Sequence, residues 1–190
     1  MGVAALSATT DKMNDDSTEM TAVLRRRLSE HSLWAFALAL YARPGVEAAC
    51  LALQDEAGVD VCELLWRCWL LQHGARPGPA AEAGVAEVRR WQAEITAPLR
   101  TLRRRLRPEA ANDAGVATLR ETLKRAELEA EREALTRLER LVLAGEKRLS
   151  PATGISTEKV LESALLLQKK THLSTLQTLI ASLDPHPAPR

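Results

Sequence analysis

The chain has 190 residues, a net charge of +1, 46% hydrophobic and 27% charged side chains. That is room for one domain with an appendage and enough apolar mass for a core, which excludes a disordered or fibrous class, and the near-neutral balance names no partner for the molecule as a whole. The three cysteines, Cys50, Cys62 and Cys68, are odd in number and lack CxxC spacing, so a disulfide scaffold and a zinc ribbon are not expected and a reducing, cytoplasmic compartment is.

Residues 1–18 are small, polar and unpatterned and read as a disordered tail, with Met13 or Met20 as an alternative start. Asp11, Asp15 and Asp16 stand where a signal peptide needs its apolar stretch. A short helix is expected over 19–28. Ser32 then caps a segment, Leu33 to Tyr41, that is apolar on all sides and is expected to be the central buried helix. It is too short to span a bilayer, which takes about 20 apolar residues. Pro44-Gly45 breaks it, a helix over 46–57 follows, and Gly58 ends that one. Asp60 and Glu63 form a capping box for a helix over 61–73. Arg76-Pro77-Gly78-Pro79 reads as a turn or linker.

A long helix is expected over 80–107, interrupted at Pro98, whose ring and missing N–H kink or break a helix interior. Pro108 to Asp113 is a break, and a helix rich in Glu and Arg runs over 114–145. Ser150 to Gly154 is a loop, Ser156 a cap, and the last helix runs over 157–183, with 184–190 as a fraying tail. Alanine, leucine, glutamate and arginine dominate and no β-branched alternation is found, so no strand is expected. The fold class is all-α: a bundle of five to six helices. Front helices over 19–74 and long helices over 80–145 form one helical domain, and the C-terminal helix over 156–183 packs on the bundle or on a partner.

Laid out at about 100° per residue, the long fourth helix puts Val88, Trp91, Ile95, Leu99, Leu102 and Leu106 on one side. Arg89, Arg100, Arg103, Arg104 and Arg107 fall on the other, a candidate anion- or partner-binding face because guanidinium forks onto phosphate and carboxylate. The competing reading is internal pairing with Glu121, Glu127, Glu129, Glu131, Glu133 and Glu139 on the next helix. That helix carries a main seam, Val116, Leu119, Leu123, Ala126, Ala130, Ala134 and Leu141, and a second stripe, Leu128, Leu135 and Val142. The last helix is apolar nearly all round. Leu128, Leu135, Val142, Leu166, Leu173 and Ile180 are therefore candidate interface residues, facing either the same chain or a second copy.

No chemistry-bearing motif assembles. His31, His73, His172 and His186 lack metal-ligand spacing, the glycines lie at turns and helix ends rather than in a phosphate loop, and the cysteines read as small core residues. No catalytic residue, cofactor or metal is expected. Trp34, Tyr41, Trp66 and Trp69 read as core.

The block Leu33-Trp34-Ala35-Phe36-Ala37-Leu38-Ala39-Leu40-Tyr41-Ala42-Arg43-Pro44-Gly45-Val46, with Cys50-Leu51-Ala52-Leu53-Gln54-Asp55, Gly58-Val59-Asp60-Val61 and Leu64-Leu65 after it, resembles a family of small bacterial proteins known only as a domain of unknown function. Pro98 to Arg103 and Ala126 to Glu131 are similar to the same family, so the resemblance covers 33–142. It implies a cytoplasmic bacterial helical protein and no activity. The function expected is a non-enzymatic helical interaction or scaffold protein, with a protein partner that includes itself as a homodimer. A nucleic-acid- or ribosome-associated regulator using the arginine face is the alternative, and an enzyme with a dispersed Cys/His site comes last. No membrane partner is expected.

Overall fold

The computed structural model describes residues 19–144, 148–152, 154, 156–167 and 169–183. Both expected tails, His186 and the Gly145 end of the long helix lie outside them. The architecture is all-α with one two-stranded ribbon. In chain order it comprises helix α1 over 19–30, α2 Leu33–Tyr41, α3 Val46–Ala57, α4 Val61–Gln72, strand β1 Ala75–Pro77 and α5 Pro79–Trp91. A π-helical turn Gln92–Thr96, α6 Ala97–Arg105, a 3-10 turn Glu109–Ala111 and α7 Ala114–Leu143 follow, then β2 Leu149–Pro151, α8 Thr157–Leu165 and α9 Lys170–Ala181.

The centre of the core is α4, not α2. Every residue of α4 from Cys62 to Leu71 is buried, including Trp66 and Trp69 at 0% exposure. Its own polar groups are matched inside: Arg67, 3% exposed, bonds Glu63 at 2.7 Å and Glu82 of α5 at 2.8 Å, and Arg89 binds Glu63 through two nitrogens. The Glu63 carboxylate therefore turns to the arginines, and only the Asp60 half of the expected capping box, Asp60 Oδ1 accepting from the Glu63 N–H at 2.9 Å, is seen. In α2 only Leu33, Ala37 and Leu40 are buried, while Leu38 is 53% exposed. The Ser32 cap is present, and the first N–H of α2 donates to Glu139 of α7 at 2.9 Å. A helix that is apolar all round thus has one face in the core and another left over.

Two expected loops pair instead. Arg76 faces Ser150 in an antiparallel ribbon that ties the α4–α5 link to the α7–α8 link, although both segments carry proline and each is only three residues long. Ser156 stands at the start of α8 without a side-chain cap bond. The last helix is broken in two by Leu166, at φ 54°, so its apolar residues face inward from two axes. α9 packs on α3, α8 packs on α4, and Leu173 and Ile180 lie against the core.

The π-helical turn has a clear cause. Pro98 has no N–H, and in a regular helix its ring meets the carbonyl four residues back, at Glu94. Widening the turn avoids that clash: the Ala97 N–H reaches Gln92 O, five residues back, and the helix continues rather than breaking. The extra residue rotates everything after it by about 100°. Thr96, Arg100 and Arg103 swing toward α7, and Ile95 and Leu102 end 39% and 44% exposed. The two faces expected from an unbroken period are therefore turned by about 100° beyond the wide turn, with Leu99 and Leu106 still half-buried and Arg104 and Arg107 still exposed.

α6 and the first half of α7 form an antiparallel hairpin closed by the 3-10 turn and by Asp113, which caps α7 through the Val116 N–H. Among the described residues, none from 97 to 126 is buried. This hairpin, here called the arm, stands out from a body made of the other elements and the second half of α7.

Candidate docking groove

Where the arm leaves the body, a groove of about 540 Å³ opens between α2, α3 and the arm. Its floor is the start of α4, where Val59, Val61, Cys62 and Leu65 surround the Asp60 cap. One wall is the outer flank of α2, exposed Leu38 between Trp34 and Tyr41, which are half-buried against the core, continued by Leu51 and Gln54 of α3. The other wall is Ala93, Ala97, Arg100 and Arg104 from the turn and α6, with Lys124, Glu127, Leu128, Glu131 and Leu135 from α7. Leu38, Leu51 and Leu128, on three different helices, are 53%, 41% and 49% exposed at its lips.

The polar groups inside the groove are already engaged with each other. Asp60 Oδ1 also accepts from Gln92 Nε2 at 3.2 Å, and Gln92 accepts from the Thr96 hydroxyl. Arg100 bridges Glu127 at 2.8 Å and Glu131 at 2.6 Å, and Arg103 forks onto Glu127. Burial pushes the carboxyls of Asp60 and Glu131 above their usual range, against hydrogen bonds to Asp60 and the Arg100 charge beside Glu131. Burial acts on Glu127 in the same direction, but the bonds from Arg103 and Arg100 outweigh it and hold that carboxyl below its ordinary value. Burial also drives the Tyr41 hydroxyl up to about 12, and the Cys62 thiol goes well above its ordinary range. Cys62 is therefore a thiol at neutral pH, its Sγ 3.8 Å from Glu131 O, and not a thiolate nucleophile. Among the described residues, no histidine lines the groove and no group of metal-ligating side chains gathers.

The rim is different. Arg104 and Asp55 meet at 3.1 Å across the mouth, both 51% exposed, and Lys124 is 66% exposed. Pairs this wet contribute at most about 1 kcal/mol and exchange partners readily.

The arginines expected to share one face are thus dispersed. Arg89 is bound to Glu63 away from the groove, Arg100 and Arg103 point to Glu127 and Glu131 in the middle of α7, Arg104 stands on the rim, and Arg107 is exposed at the far end of the arm near Arg120 and Glu121. The proposed interface leucines are dispersed as well. Val142 is buried in the core of this chain, 0% exposed, and Leu135, 4% exposed, is packed there with its edge on the groove wall. Leu128 is a groove lip and Leu166 is 80% exposed. The groove lips Leu38 and Leu51 were not expected to face outward, whereas Trp34, read as core, does lie half-buried against the core while lining the groove. The available signal was the all-round apolarity of α2, more than one core face can take up. Among the described residues, no single helix is long and apolar enough to cross a membrane, and the one pair that passes by composition, α2 with α3, is bent by 101°.

Residues 32–138 match the model of a family described as protein of unknown function (DUF2390). That span holds every residue lining the groove, from Trp34 to Leu135, and stops before β2, α8 and α9. No curated protein and no solved structure matches the chain.

Proposed function

We propose that this chain, which belongs to the DUF2390 family of proteins of unknown function, is a protein-interaction module that seats a helical segment of a partner protein in the groove between α2, α3 and the arm. The observation that carries this reading is the ring of half-exposed leucines, Leu38, Leu51 and Leu128, around one cavity whose wall is the unused face of α2. Leucines from three helices converging on one concavity form a patch that gains by being covered. The volume lies within the usual range of about 300–1,000 Å³ for binding clefts. The apolar surface also runs past the cavity onto its lips, as a helix-in-groove contact requires and a small enclosed ligand does not.

Two alternatives have weaker support. A nucleic-acid role would use the arm, but Arg100 and Arg103 are engaged by Glu127 and Glu131, and the arm from 97 to 126 holds no aromatic side chain for stacking on bases. Self-association was expected from the apolar C-terminal helix, and the inward packing of Leu173 and Ile180 removes most of that reason.

The test is site-specific photo-crosslinking in cells. A photoreactive phenylalanine analogue at Leu128 or Leu51 is expected to give one discrete protein adduct that Leu38→Glu removes, while the same probe at Leu102, off the groove, gives none. Equal adducts at all three positions, or none at the lips, would overturn the reading; an adduct with a second copy of this chain would replace the partner by itself.

A further inference from the structure

We infer that the partner segment is an acidic amphipathic helix, with apolar anchors for the groove and carboxylates along the flank that meets the arm. This rests on the groove reading and adds the chemistry of the occupant.

The two walls differ in charge. Among the groove-lining residues, the α2–α3 wall contributes no ionisable side chain except the Tyr41 phenol, whereas the arm wall contributes four cations. Two of these, Arg100 and Arg103, are compensated by Glu127 and Glu131 below the rim. Arg104 and Lys124 stand at the lip with wet partners only, Arg104 on Asp55 at 3.1 Å and Lys124 on Glu121 at 4.0 Å, every one of these side chains half-exposed or more. Behind them the arm keeps a positive excess even with Glu127 and Glu131 counted: residues 97–131 hold eight Arg and Lys against six acids. A second copy of the arm would meet this field with the same sign. Like charges set opposite one another disfavour that pairing, so the arm's field selects for an acidic partner over a homodimer.

The chain itself shows what the lip takes. Asp55 reaches from α3 across the mouth to Arg104 and presents two carboxylate oxygens, at 3.1 and 3.5 Å, to one guanidinium nitrogen. Both pairs are wet and weak, so an incoming aspartate or glutamate can take the place of Asp55 on Arg104 while a second one takes that of Glu121 on Lys124. In the occupied groove, leucines at i, i+3 or i+4, and i+7 face Leu38, Leu51 and Leu128.

The experiment uses the full chain and three designed helical peptides with one apolar face and a flank of Glu, Gln or Lys, read by fluorescence anisotropy at low and high salt. The Glu peptide is expected to bind roughly tenfold tighter than the Gln peptide, as two exposed ion pairs allow, and the Lys peptide weakest. High salt should narrow the gap between the three. Replacing Arg104→Gln and Lys124→Gln together should remove the preference and leave Gln-peptide binding unchanged, and Asp55→Asn should strengthen Glu-peptide binding by freeing Arg104. All three substitutions lie at exposed positions, so unchanged thermal unfolding is the folding control. Equal binding of the three peptides overturns the acidic-partner inference and leaves the groove reading standing. Binding of none, or binding indifferent to Leu38→Glu, overturns the groove reading itself. An oligonucleotide that binds through Arg104 and ignores Leu38→Glu would overturn both in favour of a phosphate surface.

Discussion

The body and the arm are built on opposite terms. In the body, α4 is buried along ten consecutive positions from Cys62 to Leu71, and its arginine is matched on two sides by carboxylates. In the arm, no described residue from 97 to 126 is buried, and the attachment is made by Arg100 and Arg103 closing on Glu127 and Glu131. Burial stabilises in proportion to the apolar area removed from water, so the body supplies the free energy of folding and the arm adds little to it. The arm is a presenting structure held up by the body, and the groove lies at the seam between the two.

The widest contrast comes from removing the largest buried side chain. Trp66→Ala should cost about 3–5 kcal/mol in denaturant unfolding and collapse the body. A loss under 1 kcal/mol would mean that α4 is not the centre. Glu127→Gln strikes the seam: it leaves two partly buried guanidinium groups short of their common acceptor and should cost about 1–2 kcal/mol, with hydrogen exchange rising in the arm before the body. The same carboxyl gives a pH signature. Its folded value lies below the ordinary 4.5, so the unfolded chain takes up the proton first as pH falls. The stability contributed by Glu127 is complete above that ordinary value and is lost as pH drops through the lowered one. Wild type and Glu127→Gln should therefore differ at neutral pH and converge in acid; a gap that persists in acid would show that the charge is not what holds the arm. The smallest effect is at the back of the arm. Leu102→Ala, already 44% exposed, should change stability by less than about 0.5 kcal/mol.

Much of the fold was legible where local signals agree. The Ser32 and Asp60 caps, Gly58 at φ 67° and the break over Pro108 to Asp113 all stand where propensity and turn chemistry put them. What failed did so where a tertiary fact decides. α2 and α4 are both apolar, and nothing in either stretch says which will be surrounded. The ribbon of Ala75–Pro77 with Leu149–Pro151 is a long-range pairing of two three-residue segments, too short for their alternation to stand out. The internal pairing of the arginines with Glu127 and Glu131 was open from composition, but not which arginines, because a proline that was read as an interruption is accommodated by a wider turn. The groove was illegible as a site because its parts were each accounted for separately: Trp34 as core, Asp60 as cap, Leu128 as one of a stripe.

The wide turn at Gln92–Thr96 sets the arm's phase, and phase is changed by length rather than by identity. Deleting one residue there, such as Ala93, would return the chain to an unbroken period and turn α6 back by about 100°. Arg100 and Arg103 would then point to solvent and Leu102 toward α7, with every side chain of the arm kept. For this chain a single-codon deletion is a larger chemical change to the exposed surface than most substitutions, and two relatives identical from 97 to 125 would present surfaces turned by about 100° from each other if they differ by one residue in that turn.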